Sequence, residues 1–298
     1  MITTIGKAQK TPRYAYLIMA HNNFSILEKL LLLLDDEEND IYIHIDKRTT
    51  EVPFDRLEAA VRRGSIYFTD RIAIQWGGDS QIKATFILMK AAAGTYHCYY
   101  HFISGVDMPL KTQKEFHEFF SENYGKEFID FDKKANDDYI KNRIGYYYPF
   151  QNKIGRSRGK IVASYYYAQK FMVGIQRKMG VDRTRNSGFK LYKGAQWFSI
   201  THEFTKYLIS NENIVYKYFG RAINADEVFV QTMVANSPFK DNVADYKRCI
   251  DWKRGEPYTF TIDDFDMLMN SGKFFARKFD ENVDMEIVDK IYETLKQR

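Results

Sequence analysis

The amino-acid sequence predicts an α/β protein built on a mostly parallel sheet with helices over both faces. Two patterns carry that expectation. Short, almost wholly apolar runs alternate with longer segments of helical period through the first ~130 residues, the order that arises when parallel strands are joined by crossover helices. The runs also lack the in–out alternation of a half-exposed sheet, so they read as strands buried on both faces. At 298 residues the chain is long enough to bury such a core. It shows no internal repeat and no low-complexity linker, which predicts one domain over 1–298.

Ala15–His21 (AYLIMAH) is the first strand, and Asn22 and Asn23 are placed to cap a helix whose apolar residues recur from Ile26 and Leu27 to Leu34. Ile41–Asp46 (IYIHID) is the second strand, closing a β-α-β unit. Ser65–Thr69 and Ile72–Trp76 read as short strands, Ser80–Ala93 as a helix ended by Gly94, and Tyr99–Ser104 as a strand running into a Gly105/Asp107/Pro109 turn. Gln113–Asn123 reads as a helix and Glu127–Asp132 as a strand. Further on, Ile161–Met179 is a long helix with Arg177 and Lys178 near its end, which suits the helix dipole. Gly188–Ile200 has strand character, and Thr201–Ser210, Glu227–Val234 and the amphipathic Ile287–Lys296 are helical. Ligands of open α/β sheets sit beyond the C-terminal strand ends; His21, Asp46, Trp76 and Asp107 fall there.

No apolar run reaches the ~20 residues of a membrane span, and the first residues lack a secretory layout. A cytoplasmic protein is therefore expected, with Cys98 and Cys249 as buried thiols in a reducing compartment. The formal charge of +5 hides an asymmetry: residues 133–193 hold 15 lysines and arginines against 3 aspartates, a net +12, on an otherwise acidic chain. Within that segment Tyr146–Tyr148 and Tyr165–Tyr167 are interleaved with Arg143, Lys153, Arg156, Arg158 and Lys160. Such a basic, aromatic stretch implies an anionic partner, either an acceptor or an anionic membrane face.

Candidates for chemistry are few. Neither G-x-x-x-x-G-K-[ST] nor G-x-G-x-x-G occurs, which argues against a P-loop or dinucleotide site. Zinc-like spacing and a G-x-S-x-G nucleophile turn are also lacking. Asp46 could accept hydrogen bonds from a ribose or base, or simply cap the next helix. Glu227, three residues after Asn224, could be a general base or the second half of a capping box. Asp130/Asp132 and Asp264/Asp266 are Asp-x-Asp pairs that could hold a divalent metal on a diphosphate. Lys278, in an alternation of cations and aromatics over 272–279, could neutralise a phosphate or lie solvated on an edge. Trp197 and Trp252 read as core residues or as platforms for the apolar face of a sugar.

Seven segments in order, YAYLIMAHNN, IYIHIDKR, IQWGGDSQIKATFILMKAA, HFISGVDMPLKTQ, KGAQWFSIT, NADEVFVQTMVANS and FFARKFD, are spread along nearly the whole chain with none in 133–187. With them the sequence resembles the core-2/I-branching β-1,6-N-acetylglucosaminyltransferase family, which also holds the peptide O-xylosyltransferases, as a short bacterial member. The resemblance implies a GT-A-like glycosyltransferase fold and inverting, metal-independent transfer from a UDP-sugar. It implies Glu227 as catalytic base, Asp46 as nucleotide contact and Lys278 on the diphosphate, with Arg254 the nearest candidate for a second cation there; His21, at its strand end, is a further candidate donor contact. Asp107, Arg143, Trp197 and Trp252 are the candidate acceptor contacts. Residues 1–132 would form the nucleotide-binding half and 133–298 the acceptor-binding and catalytic half.

The expected reaction has Glu227 deprotonating an acceptor hydroxyl that attacks the donor's anomeric carbon, while Lys278 and Arg254 stabilise the departing diphosphate. UDP-GlcNAc is the expected donor, with UDP-xylose or another UDP-sugar as the alternative. The expected acceptor is a glycan of a bacterial surface polysaccharide, lipid-linked in one version. No cofactor, bound metal or nucleic acid is expected. A different class of reading is a non-catalytic protein binding an anionic glycan or nucleic acid through the basic segment.

Overall fold

A computed structural model of the protein describes residues 13–155, 159–185 and 187–298; Arg156 and Arg158 of the basic segment lie outside them. Strands β1 (Tyr14–Ala20), β2 (Asn39–Ile45), β3 (Ser65–Phe68) and β4 (Tyr99–Ser104) are parallel neighbours in the order β3-β2-β1-β4. The chain continues through β5 (Met108–Pro109), β6 (Glu127–Ile129), β7 (Phe198–Thr201), β8 (Val243–Ala244), β9 (Arg248–Ile250) and β10 (Phe275–Arg277). Antiparallel β7 joins β4, and β6 and β8 complete a seven-stranded sheet. A second sheet, β5-β10-β9, lies at the end of the turn after β4.

The helices of the first half are α1 (Phe24–Leu34), α2 (Phe54–Ala59), α3 (Ser80–Ala92) and α4 (Gln113–Glu122). After them come α5 (Asp137–Ile144), α6 (Gln151–Ile154), α7 (Lys160–Lys178), α8 (His202–Ser210) and α9 (Glu212–Phe219). The chain ends with α10 (Phe229–Ala235), α11 (Phe265–Met269) and α12 (Glu286–Lys296). The period of two along each strand divides the core. Tyr14, Tyr16 and Ile18 of β1 pack with Ile41 and Ile43 of β2 under α1, α4 and α12. Ala15 and Leu17 turn to the other face with Tyr42, Tyr100 and Phe102, under α3, α8, α9 and α10. Both faces are thus covered, as the apolar runs predict; each fully buried large side chain contributes ~1.5–3 kcal/mol.

Four expectations change. Ile72–Trp76 is not a strand, because its N–H groups go to side chains: Ile72 N to His44 Nε2 at 3.1 Å, Ile74 N to Asp46 Oδ2 at 3.3 Å, and Gln75 N to Ser80 Oγ at 2.8 Å. Most of Gly188–Ile200 is likewise irregular, with strand only from Phe198. There Lys190, Tyr192 and Ala195 donate to the side chains of Asn236, Thr232 and Asp130. Strand β6 stops at Ile129, three residues short of Asp132. Asn23 stands at the N-cap of α1 but in the left-handed region (φ 54°), and its side chain makes no capping bond. Of the two cysteines, Cys98 is buried and Cys249 only partly so.

Candidate active site

Glu227 closes a 3₁₀ turn, Ala225–Glu227, and the helical path breaks at Val228 (φ −129°) before α10 begins. The expected helix over Glu227–Val234 is therefore two pieces. Nor is there a capping box: Asn224 is left-handed (φ 48°) and caps nothing with its side chain. The Glu227 carboxylate is turned instead to two cations of the basic segment. Arg143 Nη1, from α5, donates to Glu227 Oε2 at 2.7 Å, and Lys193 Nζ lies 3.7 Å from the same oxygen. The Glu227 side chain keeps 31% of its exposure, the two cations 16% each. The carboxylate is thus held from behind and open in front. Arg143 is fixed in turn by Tyr139, whose hydroxyl it meets and whose ring lies 4.5 Å away.

Two glycines allow this turn. Asn224 N donates to Gly77 O at 2.9 Å, and Gly77 has φ +69°; a Cβ there would run into the Asn224 side chain. Gly194 N donates to Glu227 O at 2.9 Å, and a Cβ on Gly194 would overlap the Asp130 carbonyl. Asp226, just before Glu227, is buried, and its Oδ1 has no hydrogen-bond partner among the described residues. Burial, and then the neighbouring Glu227, push its carboxyl up to about 7.

On the other side Asp46 follows β2 directly. Burial alone would raise its pKa, but hydrogen bonds from Arg48 outweigh it and hold the carboxyl below its ordinary value. Arg48 donates to it from Nε at 3.1 Å, from Nη2 at 2.7 Å and from its backbone N at 2.9 Å. Arg48 also reaches Gln75 Oε1 at 2.8 Å, linking the β2 end to the 74–77 segment and so to Asn224. His21 joins the same loop, its carbonyl accepting from Thr49 Oγ1 at 2.9 Å.

Asp107, expected at an acceptor, is spent inside the fold. It is 1% exposed, accepts from Ser104 N at 3.1 Å and Ser104 Oγ at 2.6 Å, and lies 3.7 Å from Arg277 Nε. It shapes the turn after β4 and balances Arg277. Arg277 in turn lies 4.2 Å over the ring of Trp197, which also stacks on Phe102. Trp197 is therefore engaged by a cation and a core aromatic, whereas Trp252 is exposed and not a core residue. Arg277 escaped the sequence reading, although FFARKFD contains it; Lys193 likewise stood in KGAQWFSIT.

Lys278 is pinned by its backbone between two loops: its N–H points to Tyr258 O at 3.5 Å, and Phe279 N donates to Val106 O at 3.0 Å. Its ammonium forms no ion pair among the described residues. Arg254 sits on the same Tyr258, 4.0 Å over the ring, but pairs with Asp251 at 2.6 Å and Asp264 at 2.8 Å. Its charge is already balanced, unlike that of Lys278. Of the Asp-x-Asp pairs, Asp130 accepts from Ala195 N at 2.9 Å and Asp132 faces Lys193 at 3.4 Å. Asp264 is held by Arg254 and Thr261 N. A cavity of about 280 Å³ is lined by Phe131, Asp132, Ile140, Tyr192 and Lys193, the last of which also approaches Glu227.

The sheet is mostly parallel, reversed by antiparallel β7 and covered by helices, with Asp46 at the end of β2 and Glu227 held by Arg143 and Lys193. The family model "Core-2/I-Branching enzyme" matches residues 14–268, and the chain belongs to that glycosyltransferase family. Xylosyltransferase 2 of Rattus norvegicus is 26% identical over 305 residues, covering 93% of this chain and 33% of the relative. Xylosyltransferase 1 of Canis lupus familiaris is 24% identical over 307 residues, covering 94% and 30%. The chain thus spans about a third of the length of these curated relatives. Among solved structures, apo mouse xyloside xylosyltransferase 1 aligns with a TM-score of 0.37 at 11% identity, over 90% of this chain and 98% of that one.

Proposed function

We propose that this protein is an inverting glycosyltransferase that moves a sugar from a UDP-sugar to a glycan acceptor, with Glu227 as general base. The observation that carries the reading is the Glu227 carboxylate, oriented by Arg143 and Lys193 and open on its outer side. A base so placed can take the proton of an acceptor hydroxyl as it attacks the anomeric carbon. Lys278 is the cation proposed for the departing diphosphate, a role a fixed ammonium can fill without a divalent metal. Arg254 would join it only by leaving Asp251 and Asp264. Asp46 and His21 are proposed at the nucleotide in the 1–132 half, and the cavity beside Lys193 at the acceptor in the 133–298 half. The proposed donor is UDP-GlcNAc in a β-1,6 transfer to a polysaccharide at the cytoplasmic membrane face. UDP-xylose is the second reading, favoured by the names of the curated relatives.

The test is thermal stabilisation by a panel of UDP-sugars with and without EDTA, since a ligand bound only to the folded state raises its apparent stability. One donor is expected to raise the melting temperature equally in both conditions, and Lys278→Ala to abolish most of that rise. Stabilisation that needs Mn²⁺ would transfer the diphosphate role to Asp130 and Asp132. A panel without any effect would overturn the donor reading.

A further inference from the structure

Helix α7 is inverted relative to an ordinary surface helix. It is fastened to the body by polar groups: Gln169 Oε1 accepts from Phe150 N at 3.0 Å, Gln169 Nε2 donates to Gln151 Oε1 at 3.1 Å, and Gln176 exchanges bonds with the Tyr147 backbone. Only Gln169 and Val173 of its 19 residues are buried. The side away from these groups is apolar and open: Tyr167, Phe171 (70% exposed) and Ile175 point outward, and Ile161 (74%) and Met179 (73%), just past the helix end, extend the patch along one flank. By helix geometry Lys160 and Lys178 stand at the two ends of this face and Lys170 on its flank. No aspartate or glutamate occurs anywhere between Tyr139 and Val181.

We propose that α7 docks the protein on an anionic lipid surface, its apolar side chains in the headgroup boundary and its lysines on the phosphates. A cationic helix with bulky apolar side chains outward is the form that lies in a bilayer interface. Each Lys or Arg near an anionic leaflet strengthens binding roughly fivefold. The charge pattern argues against a second copy as the occupant: pairing this face with itself would set Lys160, Lys170 and Lys178 against one another, and α7 carries no carboxylate of its own to offset them. Spanning is not the mode, because no helix among the described residues is long and apolar enough to cross a membrane. Arg177 Nη2 donates to Asn142 Oδ1 at 3.2 Å, next to Arg143. A lipid surface held by α7 therefore lies against the helical layer that presents Arg143 to Glu227, whatever sugar is transferred there.

The experiment is co-sedimentation of the full chain with phosphatidylglycerol-containing vesicles and with phosphatidylcholine vesicles over a salt series. Expected is at least ~10-fold tighter binding to the anionic vesicles at low salt. Phe171→Glu, and Lys170→Glu with Lys178→Glu, should each lose that binding with an unchanged melting temperature, because all three side chains are exposed. Equal or negligible binding to both vesicles would overturn the proposal. So would a concentration-dependent dimer that Phe171→Glu dissolves, which would make a second copy the occupant.

Discussion

Asp107 and Glu227 both end a turn beside the sheet, and each faces an arginine, yet they are built for opposite purposes. Asp107 is sealed, with both oxygens engaged by Ser104 and Arg277 within reach behind it. Glu227 is gripped at Oε2 by Arg143 and approached there by Lys193, and remains partly exposed. A carboxylate satisfied on every side stabilises a loop. One held on a single side keeps capacity for a ligand proton. The residue type and the turn are alike in the two; the count of partners and the open side are what set Glu227 apart as the proposed base.

Glu227→Gln is the hardest test of the open member. The amide keeps the shape and can still accept from Arg143, but it cannot take a proton. Transfer should fall by ~10²–10⁴, the range for a lost general base, while UDP-sugar binding and melting temperature stay close to wild type. Steady-state rates near wild type from a folded Glu227→Gln protein would return this residue to a structural role.

The sealed member should respond in the other currency. Burial alone drives the Arg277 pKa down, and Asp107 is the group that offsets it. Asp107→Asn removes the counter-charge and leaves a buried guanidinium, which should cost about 3 kcal/mol of stability in chemical denaturation. A loss below ~1 kcal/mol, within the range of ordinary surface changes, would mean that Trp197 and the surrounding loops carry Arg277 without it.

These two sites also show what a one-dimensional reading reaches. Strands β1, β2 and β4 and helices α1 and α3 are legible because their apolar periodicity is local. The 72–76 and 188–197 segments are not, since their N–H groups are taken by side chains far along the chain, from His44, Asp46, Asn236, Thr232 and Asp130. Glu227 and Lys278 stand out only through family motifs, and composition left each with a bland alternative. The capping-box alternative for Glu227 fails on one dihedral, the left-handed Asn224. That Arg143 grips Glu227 across 84 positions has no local signature at all. The pairing of Arg254 with Asp251 and Asp264 is likewise invisible to a motif, which shows a cation without its carboxylates.

Asp226 is the third term of the comparison, buried like Asp107 but without a cation bonded to it. Its carboxyl rises from 3.8 to about 7 through burial first and Glu227 second. The sign follows directly: the fold prefers the protonated form, so this contribution to stability is complete below pH 3.8 and is lost as pH climbs to about 7. Glu127, pushed to about 7 by burial, titrates with the same sign in the same window, so the wild-type profile alone cannot isolate Asp226. Asp226→Asn can, because Glu127 is present in both proteins. The amide never ionises, and the variant should gain on wild type as pH rises. Relaxation around a buried charge reduces the full linkage value, so the expected gain between pH 5 and pH 8 is on the order of 1–2 kcal/mol. Denaturant midpoints across that range measure it. Parallel profiles for the two proteins would show that Asp226 ionises at its ordinary pKa, and that the turn carrying Glu227 tolerates a second negative charge.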